Sequence, residues 1–162
     1  MIKNINDTDM TERNHYDIYR KATKISIICD NNNIPISSKF YPANIHDTKT
    51  IESSIDNIKC SIRKNNRLHN YLIGDKGYII NKTNRIKLNN KYKINLITPH
   101  IKNQQDKLRK YFNNKLKTRY KIEHVFCSLD KFERLRFRYD RYLKFYESFH
   151  FFALISITYI KI

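Results

Sequence analysis

The chain has 162 residues and a formal net charge of +17. That length suits one ordinary domain with a hydrophobic core, and 40% hydrophobic with 13% aromatic residues argues against disorder. No apolar run reaches the length of a membrane span, the polar start "MIKNINDTDM" has no signal-peptide core, and three widely spaced cysteines fit neither a disulfide framework nor a zinc site. The expectation is an intracellular protein in a reducing compartment, with no membrane partner.

Such a charge favours a polyanionic partner, usually nucleic acid. Composition weakens the inference. Lys, Asn and Ile make up about 40% of the chain, roughly twice ordinary usage, and A and T alone can encode all three. Arginine is the less biased witness. Four arginines fall in one short stretch, Arg134, Arg136, Arg138 and Arg141.

In chain order, "TKISIICD" (23–30) is β-branched and reads as a strand. Asn31 to Asn33 form a turn, because Asn tolerates left-handed backbone angles. "IPISSKFYPAN" (34–44) is the second strand of a hairpin. The next segment has Ile51, Ile55, Ile58 and Ile62 at helical spacing, with Asp47 as the expected N-cap. "HNYLIGD" (69–75) is a short strand ending at Asp75, and "YKINLITP" (92–99) is another, stopped by Pro99. From Gln104 to about Glu133 the pattern is helical again. Leu108 and Phe112 precede an apolar stripe of Ile122, Phe126, Leu129 and Phe132. The aromatic tail, 139–160, reads as a last packing helix. The order is β-β-α-β-(α)-β-α-α, with no repeat and no linker.

The only two glycines, Gly74 and Gly77, flank Asp75 in "YLIGDKGY". Tyr71, Ile73 and Asp75 share one strand face, and Asp75 stands at the strand's C-terminal end, where α/β sheets present their sites. Gly74 allows close approach of a ligand or another chain segment, and Gly77 a tight turn. A plain turn explains Gly-Asp-Lys-Gly equally well. A second carboxylate, Glu123, borders the apolar stripe of the helix that follows Arg119, and an Arg at i−4 is also what a simple surface pair looks like. Carboxylates on a strand end and on a packed helix are the donors of a two-metal phosphoryl-transfer site.

These segments together, "YLIGDKGY" and "RYKIEHVFCSLDKFERLRFRYDR", resemble the DDE transposases of bacterial insertion sequences. The resemblance covers 13–141. It implies an α/β, ribonuclease H-like mixed sheet flanked by helices. The family's second catalytic Asp lies in a Gly-Asp-x-Gly-Tyr context, matched by Gly74, Asp75, Gly77 and Tyr78. Its catalytic Glu lies in an Arg-x₃-Glu context with an aromatic three residues on, matched by Arg119, Glu123 and Phe126. The family's basic residue about seven positions later falls on Asp130, with Lys131 next, and its Tyr before the Arg is Leu116. By this resemblance Asp75 and Glu123 are the catalytic, metal-binding carboxylates. Gly74, Gly77, Tyr78, Arg119 and Lys131 support them, Mg²⁺ or Mn²⁺ is the cofactor, and DNA is the partner, together with a second copy or a full-length transposase.

The family's first catalytic Asp, usually in Asp-Ser-Thr on the first strand, has no match, and this chain starts with the segment that follows it. The expectation is an N-terminally truncated catalytic domain, 1–162, lacking the first strand and impaired in catalysis. Its core covers about 13–133, with a basic, aromatic helical part at 134–162. Asp30 ends an antiparallel strand at the wrong sheet edge, Asp47 is explained as a cap, and Asp7 and Asp9 lie in a polar start. His46 and His124 neighbour key carboxylates, yet a lone His is more often a surface or core residue. In "RLRFRYDRYLKFY" the arginines suit phosphates and the aromatics exposed bases. The opposing reading packs Leu135, Phe137, Tyr139 and Leu143 inward and leaves the arginines to solvent. Three functions compete: a DDE transposase moving DNA, a DNA-binding relic of one, and an unrelated basic nucleic-acid-binding α/β protein.

Overall fold

The structure is a computed structural model that describes residues 12–13, 21–58, 70–99 and 115–160. The expected helix start at Gln104, with Leu108 and Phe112, lies outside these residues, as do Asp7, Asp9, Cys60 and Ile62. The chain is a mixed α/β protein in two compact units. The first comprises 1–45, 54–59 and 121–162, the second 46–53 and 60–120.

The first unit is built on a hairpin. Strand β2 (Lys21–Cys29) pairs antiparallel with β3 (Pro35–Pro42), and the short β1 (Glu12–Arg13) pairs with β2 through Ala22 and Lys21. The Asn turn closes as expected. Asn33 takes φ 62°, and the Asp30 carboxylate accepts from the Asn32 and Ile34 amides at 2.8 Å each. Asp30 is thereby explained as a turn residue.

Alternation sends the two faces of β3 to different helices. On one face Phe40 meets Tyr146 and His150 edge-on, with ring centroids 5.8 and 5.1 Å apart. Ser38 Oγ lies 2.9 Å from His150 Nε2. On the other face the Ser37 hydroxyl donates to the Ser54 carbonyl, 2.8 Å, and Tyr41 and Ser26 meet the Ser54 hydroxyl. Ser54 belongs to α1 (Asp47–Asp56). The remaining helices of this unit are α3 (Tyr120–Leu129), α4 (Glu133–Arg136) and α5 (Leu143–Tyr159). They close the core with Val125, Leu129, Leu135, Tyr146, Ala153, Leu154 and Ile157 around Phe40.

The α3 stripe is shifted from the sequence expectation. Val125, 0% exposed, takes the inward place assigned to Phe126, which is 38% exposed. Ile122, Val125, Leu129 and Phe132 keep the helical spacing, so the period holds and the branch at 125/126 moves.

The second unit is a parallel pair. β4 (Asn70–Ile73) lies beside β5 (Ile94–Ile97), with Leu72 opposite Leu96. Helix α2 (Lys82–Tyr92) makes the crossover that parallel strands require. Asn81 caps it by accepting from the Asn84 amide, 2.8 Å. It ends on Lys93 in the left-handed region, φ 56°. Leu88 of α2 and Ile94, Leu96 and Ile97 of β5 are buried. Arg85 ties the helix to the strand end by donating to Thr98 Oγ1, 2.7 Å. Among the described residues no helix is long and apolar enough to cross a membrane.

Candidate active site

Asp75 follows β4 directly. The Gly74 amide donates to the Ile97 carbonyl, 2.9 Å, which carries the parallel ladder one residue further. The chain then turns into a 3₁₀ segment, Lys76–Tyr78, capped by the Asp75 carboxylate, which accepts from the Lys76 amide at 2.7 Å. Its other oxygen lies 3.3 Å from Arg119 Nη1. The Asp75 side chain remains 58% exposed, so the carboxylate is oriented and still open to a ligand.

The segment 115–119 reaches Tyr71 of β4 and Asp75 beyond its end. Lys115 Nζ stands over the Tyr71 ring, 3.3 Å from its centroid, and Arg119, the last residue of a short 3₁₀ turn (Lys117–Arg119), holds Asp75. Arg119 thus forms an ion pair with Asp75.

Both glycines are explained by space. Neither has positive φ. A Cβ on Gly74 would lie 3.0 Å from Tyr78 Cβ. A Cβ on Gly77 would collide with the Asp47 carboxylate, which lies against it. The tight turn expected at Gly77 is present as the 3₁₀ segment Lys76–Tyr78, and the φ of Gly77 is not positive. At the start of α1, His46 Nδ1 accepts from the Thr48 amide at 3.3 Å and lies 2.9 Å from the Thr48 hydroxyl. Asp47 is turned toward the Gly77 loop, and this placement was the feature that spacing could not reveal.

In the other unit, Glu123 lies exposed in the first turn of α3, and Lys131 is exposed just beyond that helix. A carboxylate in a first turn is favoured by the helix dipole. Lys121 fixes the helix start by donating to the Asn31 carbonyl and side-chain oxygen at 2.6 and 2.7 Å.

The four arginines divide. Arg138 is 2% exposed. It donates to the Asp140 carbonyl, 3.2 Å, and to the Thr23 hydroxyl, and stacks over Tyr146 at 5.3 Å. Its place in a DNA-binding set is therefore corrected: it serves the core. Arg134 is held by both oxygens of Asp140, at 3.1 and 2.5 Å, which raises its pKa further. Arg136 and Arg141 are exposed, and Tyr139 is 76% exposed. The alternation of Arg and aromatic residues is thus reversed at 138 and 139. Each reading of the stretch holds for part of it, and Leu135 packs inward as the solvent-facing reading required.

The folded chain is an α/β protein with an open carboxylate at a parallel strand end. The family model described as a transposase DDE domain matches residues 7–157, nearly the whole chain. The chain belongs to that family, whose domain acts on DNA. No curated protein matches it, and no solved structure does. The family match decides against the unrelated basic nucleic-acid-binding protein.

Proposed function

We propose that this chain is the ribonuclease H-like catalytic domain of a DNA transposase of the insertion-sequence type, with Asp75 and Glu123 as catalytic carboxylates. The observation that carries the reading is Asp75 itself, exposed at the C-terminal end of a parallel strand within a chain that matches the family over 7–157. The reaction is attack of water or a 3′-hydroxyl on a phosphodiester, with departure of the bridging oxygen. Arg119 acts as a positioning residue for Asp75. An exposed pair of this kind is worth about 0–1 kcal/mol, so it orients the carboxylate without locking it away. Gly74, Gly77 and Tyr78 shape the loop beneath it, and Lys131 adds positive charge after α3. Of the four clustered arginines, Arg136 and Arg141 are exposed and available to phosphates.

The family implies Mg²⁺ or Mn²⁺, which when bound activates the attacking oxygen and stabilises the leaving one. Carboxylates are fitting donors for such hard cations. Among the described residues, however, no three His, Cys, Asp or Glu side chains come together to hold a metal. The resemblance assigns only two of the family's three carboxylates, and Asp47, lying against Gly77, is the first residue to test as the third.

The test is nicking of supercoiled plasmid in Mg²⁺ or Mn²⁺. Nicking by the 162-residue chain that Asp75→Ala and Glu123→Ala each abolish supports the catalytic reading. DNA binding without any nicking supports the alternative, a DNA-binding relic.

A further inference from the structure

Between α4 and α5 the chain runs from Phe137 to Tyr142, and this linker is pinned from beneath. It is extended at both ends, at Phe137 and at Tyr142, and neighbouring side chains of an extended chain point to opposite sides. Arg138 goes in, donating to the Asp140 carbonyl and the Thr23 hydroxyl and lying over the Tyr146 ring. Phe137 and Tyr139, on either side of it, go out. From α4, Arg134 grips the Asp140 carboxylate. Four aromatic side chains, Phe137, Tyr139, Tyr142 and Phe145, are thus left 38% to 76% exposed on an anchored stretch of nine residues, 137–145. Apolar surface gathered in this way marks a site of interaction. We propose that the linker is a platform for single-stranded DNA, its rings stacking on unpaired bases and its cations meeting the phosphates.

The chemistry of the stretch selects that partner. Every exposed apolar residue in 136–145 is aromatic, since Leu143 packs against the core and Leu135 just before is buried. Cations alternate with the rings. Arg136 Cζ lies 5.4 Å from the Phe137 ring centroid, and Arg141 and Lys144 are exposed. The one carboxylate in 136–145 is Asp140, which Arg134 neutralises, and the next acid along, Glu147, is half-buried. The rings are not stacked face to face on one another. Phe137 and Tyr139 have centroids 6.4 Å apart and planes at 50°, and Tyr142 and Phe145 are at 6.1 Å and 69°. A nucleotide carries a flat apolar face and an anionic phosphate, the counterparts of ring and cation. In a duplex those faces are hidden in the stack, so only an unpaired strand uses both. The proposal rests on the reading of the chain as a DNA-cleaving domain, which meets unpaired bases whenever a cut strand leaves its duplex.

The experiment is a fluorescence-anisotropy titration of the full chain with labelled oligothymidine and with a duplex of the same length, in EDTA so that no strand is cut. Tyr139→Ala with Tyr142→Ala should weaken oligothymidine binding about tenfold or more, because each stacked base lost is worth roughly fivefold at least. Duplex binding should change less than about twofold, since the rings do not reach stacked bases. The salt slope on oligothymidine should keep its wild-type value, because the variant removes no charge. Tyr139→Phe with Tyr142→Phe keeps both rings and should keep the affinity. Should the alanine pair fail to fold, Tyr139→Leu with Tyr142→Leu, which keeps bulk and removes the ring, carries the same expectation. A wild-type chain that does not bind oligothymidine overturns the proposal, as does a folded variant that binds it as tightly as the wild type. An equal loss on single strand and duplex also overturns it and marks a general phosphate surface. So does a variant whose only loss is on anionic phospholipid vesicles, which marks a membrane-facing surface. The titration reads binding without cleavage, so its failure leaves the roles of Asp75 and Glu123 to the nicking assay, and failed nicking leaves the platform to the titration.

Discussion

At the scale of single residues, the two glycines were visible as a signal in the sequence, but their reason was not. Glycine is usually read as conformational freedom, and here it is room: Tyr78 occupies the space at Gly74 and the Asp47 carboxylate the space at Gly77. Sequence spacing does not reveal which distant side chain will fill a gap. Gly77→Ala should cost about 1–2 kcal/mol, the usual range for overpacking. In an Asp47→Ala background the same change should cost less than about 0.5 kcal/mol, because the two sites are coupled only through that contact. Chemical denaturation of the four proteins checks this, and equal costs in both backgrounds would reject it. His150 gives a second case. It is fully buried, its Nε2 is met by Ser38, and its Nδ1 has no hydrogen-bond partner among the described residues. Burial pushes its pKa down to about 4 from 6.5. Between those values the unfolded chain takes up a proton that the folded chain refuses. Stability therefore falls as pH drops from about 6.5 toward 4, by up to roughly 3 kcal/mol from this group. His150→Gln should flatten that part of the melting-temperature profile. Matching slopes for the two proteins would show that other groups set the acid limit.

At the scale of elements, strands were easier to read than helix faces. β-branched runs bounded by turn residues located β2, β3, β4 and β5 to within two residues, because both pattern and boundary are local. The start of α3 was hidden by the 3₁₀ turn at Lys117–Arg119, which turns Arg119 to Asp75. The Arg-rich stretch failed for a related reason. Interleaved Arg and aromatic residues do not say which set faces inward, and tertiary packing decides it, with Arg138 in and Tyr139 out. Long arginine stems bury well, so truncation there costs packing as well as charge. Arg138→Ala should destabilise by about 2–3 kcal/mol, since hydrogen bonds to a buried charge are among the stronger ones. Arg138→Lys should not restore it, because an ammonium cannot reproduce the planar fork that meets Asp140 and Thr23 while stacking on Tyr146. Arg136→Ala, on an exposed side chain, should change stability by less than about 0.5 kcal/mol. Thermal melts of the three variants separate these cases, and a mild Arg138→Ala would mean that the core closes without it.

At the scale of the whole molecule, charge is the dominant fact, and its origin matters more than its size. Much of the +17 comes from lysines that an AT-rich coding bias would supply unselected, and such charges need not converge on one surface. Of the four arginines read as DNA-binding, Arg136 and Arg141 remain candidates, because Arg138 is buried and Arg134 is held by Asp140. A cation that binds a phosphate releases condensed counterions, so removing one such side chain lowers the slope of log affinity against log salt by about 0.9 on duplex DNA. Binding should be sequence-independent and fall steeply with salt. Arg136→Ala with Arg141→Ala should flatten the slope by about 1–2 while the melting temperature stays put. Arg134→Ala should leave the slope nearly unchanged and act on stability instead, through the broken pair with Asp140. The measurement is a salt series of fluorescence-anisotropy titrations on two duplexes of unrelated sequence. Should the double variant keep the wild-type slope, the stretch after α3 is a structural surface and DNA is bound elsewhere on the chain. Should Arg134→Ala flatten it as strongly as the double variant, then the Arg134–Asp140 pair opens to DNA, and its resting geometry does not describe the bound state.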